Sequence, residues 1–149
     1  MAEHRFKLQA EWPGGRNNVG SIAMDNLTTN VSIPEEMDGP GEGTNPDEML
    51  LGAASTCYII TLAAMIERSG LPLEEMSMQS EGIVDFTNGV ITYKKIIHRP
   101  AVYLQSRASD NQLAQLNKLI DRAEEHCMIS KAVRGNVRVE LEPLTGKAN

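Results

Sequence analysis

The chain has 149 residues, a formal net charge of −6 from 14 Lys and Arg against 20 Asp and Glu, and two cysteines. That length suits one domain, spanning 1–149, whose core needs no disulfide or metal staple. The acidic balance, with no long basic run to offset it, argues against nucleic acid and against a membrane surface as partners.

The first twelve residues, MAEHRFKLQAEW, contain no apolar run, so no signal peptide is expected and a cytoplasmic protein is. Residues 4–11 alternate, with Phe6, Leu8 and Ala10 on one face, and predict a half-buried strand. Trp12-Pro13-Gly14-Gly15 is a turn, and Arg16, Asn17 and Asn18 follow in a loop. Two short strands, 19–24 and 27–33, are expected around a hairpin at Asp25-Asn26. Residues 34–46, rich in Gly, Pro and acid, form a long loop too short to separate domains.

Residues 49–66 carry no charge. Gly52, Ser55, Thr56, Thr61 and several alanines keep the stretch only moderately apolar, and there is no second such segment. It therefore predicts a helix buried on all sides within a soluble protein rather than a membrane span. Asn45 is the expected cap, Pro46 the first helical residue, and Glu48 the partner of a capping box. Gly70 and Pro72 end the helix.

Residues 76–86 and 90–104, rich in Val, Ile and Tyr, are expected to pair through a hairpin at Asn88-Gly89. Asp110 is the expected cap of a second helix over 111–126, with Leu113, Leu116, Leu119, Ile120 and Ala123 on one apolar stripe. A short turn over 130–134 and a last strand over 137–141 follow, and the tail 143–149 reads as loose.

The order βββ-α-ββ-α-β is that of an α+β fold with an antiparallel sheet. One sheet and one amphipathic helix are too few to cover every side of an uncharged helix. Gly52, Ala53 and Thr56 offer a small-residue surface for close approach of a second copy, so a homodimer with packed central helices is expected.

Chemistry centres on Cys57 and Cys127. Two cysteines in a reducing compartment are inert core thiols, metal ligands or a redox pair, and buried free cysteine is common enough that packing accounts for either. There is no CxxC or HxxxH spacing for a metal and no glycine-rich phosphate cradle, so neither a metal nor a cofactor is expected. Burial raises a thiol pKa, so a reactive Cys57 needs a fixed cation, and Arg16 after its Gly-Gly turn is a candidate. Asp47 and Glu48 in the first helical turn are accounted for by capping and dipole compensation.

Taken together, GTNPDEMLLGAASTCYIITLA, EEHCMISKAVRGNVRVEL and the early EWPGGRNNVGSI resemble the OsmC/Ohr family of thiol-dependent organic hydroperoxidases. The resemblance runs over nearly the whole chain. It implies an intertwined dimer in which two sheets wrap two buried central helices. It implies that Cys57 is the peroxidatic cysteine, Cys127 the resolving one, and that Arg16 stabilises the Cys57 thiolate. The acidic residue that holds this arginine falls on Asp47, where the family usually has Glu, with Glu48 as the neighbouring substitute. Met128 stands where family members commonly have Pro. The activity implied is reduction of organic hydroperoxides in oxidative-stress defence, with turnover by a dihydrolipoyl-like dithiol. A non-catalytic redox sensor and a dimer binding a small apolar ligand are the competing readings.

Overall fold

The computed structural model describes residues 2–149, which fall into two compact units, one ending at Met49 and the other Leu50–Asn149.

The first unit is an antiparallel meander of β1 (Gln9–Glu11), β2 (Gly20–Ala23) and β3 (Thr28–Val31). The Met24 N–H donates to the Leu27 carbonyl at 2.7 Å and closes the expected hairpin. The first strand is shorter than its alternation suggests. Gln9 pairs with Ala23, the last residue of β2, so residues 4–8 have no strand to pair with among the described residues, and Phe6 is 96% exposed. The loop that follows β3 is pinned rather than free. The Ser32 hydroxyl donates to the Glu42 carbonyl at 2.7 Å and accepts the Glu42 N–H at 2.8 Å, and Thr44 bridges to Val31. Gly43 has φ +70°, and a Cβ there would strike the Asn30 carbonyl.

Helix α1 (Pro46–Ser69) starts where Asn45 Oδ1 accepts the Glu48 N–H at 2.9 Å. The expected box is only half present, because the Glu48 carboxylate accepts the Thr44 hydroxyl at 2.8 Å. At the other end Gly70, with φ +69°, donates to Glu67, and Leu71 donates back to Ile66. This is a Schellman stop of the kind glycine permits. Within one chain α1 is buried along a single stripe, Ala54, Tyr58, Leu62 and Ile66. Gly52, Ala53, Thr56, Ile60 and Ala64 remain exposed.

In the second unit β4 (Leu73–Thr87) and β5 (Val90–Leu104) form a long antiparallel hairpin. Its Asn88-Gly89 turn has positive φ at both residues, as a type I′ turn requires. Alternate residues of β5 (Ile96, His98, Pro100, Val102, Leu104) are buried. Helix α2 (Asp110–His126) is capped by Ser109 rather than Asp110: the Ser109 hydroxyl accepts the Gln112 N–H while the Gln112 side chain accepts the Ser109 N–H. Serine one residue upstream places glutamine at the third helical position, which aspartate at 110 does not. Leu116, Leu119, Ile120 and Ala123 of α2 pack with Tyr58, Leu62 and Ile66 of α1 and Val102 and Leu104 of β5 in one core.

The sheet is mixed, not antiparallel. A short helix α3 (Met128–Val133) follows α2, and the chain then returns as β6 (Arg138–Leu141) and β7 (Leu144–Lys147), both parallel to β5. The helical crossover makes a parallel return possible. The offset between partners is the same in both segments, so β6 and β7 are one strand broken at Glu142-Pro143. Pro143 has no N–H to give the ladder. The tail is thus paired, not loose.

Candidate active site

Cys57 lies in the middle of α1, beside the buried stripe and half-buried. Cys127 is fully buried at the junction of α2 and α3. Its extended backbone, φ −66° and ψ 119°, ends one helix and starts the next. Its N–H donates to the Glu124 carbonyl at 3.4 Å, and its Sγ accepts the Ser130 N–H at 3.5 Å, in the manner of an N-cap. This double role directs the thiol sideways out of the helical path, towards α1.

The two thiols lie near enough for each to shift the other's acidity. Burial pushes the Cys57 thiol up, but the Cys127 thiol, the Ile129 and Met128 amides and the Thr61 hydroxyl outweigh it, and its pKa lies below the ordinary 9.0. Cys127 is held above that value by burial first and by Cys57 second. The pair therefore divides its roles. Cys57 collects the donors and is the more acidic thiol of the two; Cys127 holds its proton more tightly. A thiol of lowered pKa, once ionised, beside a second thiol is equipped for nucleophilic attack followed by disulfide formation.

Tyr58, the residue after Cys57, stacks on His98 in the core. The Tyr58 hydroxyl donates to the Ile120 carbonyl at 2.9 Å. The His98 Nδ1 lies 2.7 Å from the Ser80 hydroxyl, and Nε2 has no partner among the described residues. Burial lowers the His98 pKa from 6.5 to about 4, so the imidazole is neutral near pH 7. Thr61, Tyr58, His98 and the amides of Met128 and Ile129 were not singled out as site residues from the sequence. Thr61 had a legible signal, being one helical turn from Cys57. The amides had none, because any residue carries one.

Arg16, Asp47 and Glu48 belong to the first unit, while both cysteines belong to the second. The exposed Arg16 guanidinium donates to Asn17 Oδ1 at 2.7 Å and to the Met37 and Asp38 carbonyls at 3.0 and 3.3 Å. It ties its loop to the 3₁₀ turn Glu35–Met37. Asp47 is half-buried in the first turn of α1, and Glu48 is exposed.

Residues 39–142 match the family model described as OsmC-like protein. The chain is 65% identical to the uncharacterized protein YmaD of Bacillus subtilis, over 95% of each. It is 30% identical to the organic hydroperoxide resistance protein of Xanthomonas axonopodis pv. citri, over 91% of this chain and 92% of that one. Among solved structures, the organic hydroperoxide resistance protein OhrB of Bacillus subtilis aligns with a TM-score of 0.66 at 26% identity, covering 94% of this chain and 98% of that one. An organic hydroperoxide resistance protein OsmC from Legionella pneumophila shares the α+β fold, with a TM-score of 0.76 at 24% identity over 99% and 100% of the two chains. A family match over most of the chain, joined to relatives that align nearly end to end, makes this protein a member of the OsmC/Ohr family.

Proposed function

We propose that the protein is a cysteine-based peroxidase that reduces organic hydroperoxides to alcohols and serves in hydroperoxide resistance. The observation that carries this reading is that Cys57 and Cys127, far apart in the sequence, are brought near enough in one core for each to shift the other's acidity, Cys57 downwards and Cys127 upwards. Relatives named for organic hydroperoxide resistance support it.

In the first step the Cys57 thiolate attacks one peroxide oxygen. The O–O bond breaks, the departing alkoxide takes a proton and leaves as the alcohol, and Cys57 becomes a sulfenic acid. Cys127 then condenses with it, releasing water and forming the Cys57–Cys127 disulfide. The disulfide closes the two sulfurs to about 2.05 Å. An external dithiol returns both cysteines to thiols by exchange and is itself oxidised to a disulfide. Arg16 stabilises the thiolate and departing oxygen, with Asp47, or Glu48 beside it, holding the arginine; these roles follow from the family resemblance.

The working unit is a homodimer. The exposed face of α1, Gly52, Ala53, Thr56, Ile60 and Ala64, is apolar and small, and Ile60 is 67% exposed in one protomer. A second copy covers it and completes the burial that an uncharged helix requires. The same surroundings favour bulky hydroperoxides. At about 25 cal/mol per Å² of apolar surface removed from water, cumene hydroperoxide gains roughly ten- to thirtyfold in kcat/KM over hydrogen peroxide.

Peroxide titration followed by mass spectrometry of both cysteines tests the reading. One equivalent of cumene hydroperoxide is expected to give one intramolecular disulfide, and a dithiol to reverse it. Unchanged thiols after several equivalents would leave the sensor and ligand-binding readings in its place.

A further inference from the structure

Among the described residues, three buried side-chain polar atoms have no hydrogen-bond partner: Ser55 Oγ, His98 Nε2 and Ser130 Oγ. Ser130 alone of these residues holds a cysteine sulfur with its backbone, the N–H donating to Cys127 Sγ at 3.5 Å. It is 1% exposed. A buried hydroxyl without a partner costs free energy that alanine at the same place does not. Helix capping gives the hydroxyl no use. Cys127 caps α3, and Ser130 is the third residue of that helix. A polar side chain at this position ordinarily reaches back to the N–H of the cap. Here the Cys127 N–H is already given to the Glu124 carbonyl at 3.4 Å.

The neighbouring thiol is the one that needs a donor. In the second step of the proposed reaction Cys127 must act as a thiolate. Burial and Cys57 hold its proton on, while the Ser130 hydroxyl and N–H work in the opposite direction. Cys57 draws on other groups, the Ile129 and Met128 amides and the Thr61 hydroxyl. The two cysteines are thus served by separate donors.

We propose that Ser130 activates the resolving cysteine, its hydroxyl donating a hydrogen bond to Cys127 Sγ beside that of its N–H as the thiolate forms. Cys127 gives up its proton, and its sulfur attacks the sulfenic sulfur of Cys57. The S–O bond breaks, and the departing hydroxide takes up a proton and leaves as water. The Cys127 sulfur is oxidised and the Cys57 sulfur reduced, so one sulfenic acid and one thiol give one disulfide and one water with no further oxidant. The unmade bond of the resting protein is spent at this step, where a donor to a charged sulfur is worth more than one to a neutral thiol. The step served rests on the peroxidase reading; the effect on Cys127 does not.

Three measurements on the full chain decide it. The first is the ultraviolet absorbance of the Cys127 thiolate against pH, in Cys57→Ser and in Cys57→Ser with Ser130→Ala. Besides Cys57, the titratable side chains around Cys127 are Tyr58 of α1 and Glu124 and His126 of α2, and both proteins keep these. The hydroxyl-free protein is expected to titrate at higher pH, with about tenfold less thiolate at a given pH below the transition. The second is rapid mixing of wild type and Ser130→Ala with cumene hydroperoxide. Sulfenic acid should form at Cys57 equally fast in both. The disulfide should form about tenfold more slowly in Ser130→Ala near pH 7, and the two rates should converge above the raised Cys127 pKa. The third is urea unfolding, in which Ser130→Ala should be no less stable than the wild type, because the hydroxyl holds nothing in the resting fold. An unchanged Cys127 titration, a deficit equal at every pH, or a loss of stability overturns the proposal. Wild type that forms no sulfenic acid rejects the peroxidase reading instead, and the Cys127 titration then judges Ser130 by itself.

Discussion

Tyr58 stacks on His98, with ring centroids 5.1 Å apart and planes inclined by 18°. Since the Tyr58 hydroxyl is also bonded to Ile120, one side chain joins α1, β5 and α2. Tyr58 directly follows Cys57, and successive side chains on a helix are about 100° apart. Fixing Tyr58 in the core therefore fixes the rotation of α1 that turns Cys57 to Cys127.

The buried histidine makes acid stability a readable quantity. His98 is neutral in the folded protein until about pH 4, against 6.5 for an ordinary histidine. Above about 6.5 both states are neutral there and stability is unaffected. Between 6.5 and 4 the unfolded chain takes up a proton that the folded chain refuses, so stability falls as pH falls, by on the order of 3 kcal/mol across the window. Urea unfolding of the reduced protein at stepped pH measures it. In His98→Gln this part of the slope should vanish; an unchanged slope would assign acid sensitivity to other groups.

The cysteine variants should separate the two roles. Cys57→Ser is expected to abolish hydroperoxide consumption. Cys127→Ser should react once and then stall or overoxidise, because the sulfenic acid has lost its thiol. Full turnover by both with a dithiol would reject the assignment.

Thr61→Val keeps the shape of the side chain and removes the hydroxyl that donates to Cys57. The Cys57 pKa should rise, and alkylation and peroxide consumption near pH 7 should slow several-fold, each pKa unit being about tenfold in thiolate. At a pH above the raised pKa the two proteins should converge. A deficit independent of pH would point to packing instead.

Arg16→Ala should lower the rate by one or more orders of magnitude at neutral pH if its guanidinium stabilises the thiolate. Asp47→Ala should cost less, acting only through the arginine. Greater damage from Glu48→Ala would move the carboxylate role by one residue. Arg16→Ala leaving the rate untouched would confine it to tying its loop to the Met37 and Asp38 carbonyls.

Ile60→Asp places a charge at the centre of the exposed α1 face. Sedimentation at micromolar concentration should show a dimer for the wild type and dissociation or loss of folding for the variant, since an unpaired buried charge costs several kcal/mol. A wild-type monomer with an ordered α1 would sink the dimer.

Local chemistry was legible in the sequence wherever a short stretch satisfies itself. The Asn88-Gly89 turn, the Gly70 stop and the apolar stripe of α2 each depend on a few neighbouring residues, and the structure has them where the pattern places them. The strand over residues 4–11 was misjudged because alternation creates a face but not a partner, and β2 is too short to reach residues 4–8. The parallel return of β6 and β7 was invisible for a related reason. Pairing direction is set by the crossover through α2 and α3, not by the composition of the strand. For the site, the sequence determined that two thiols exist seventy residues apart. Only the tertiary structure decided that they come together and that they differ, because the donors distinguishing Cys57 from Cys127 are backbone amides and a hydroxyl brought to one point by helix packing.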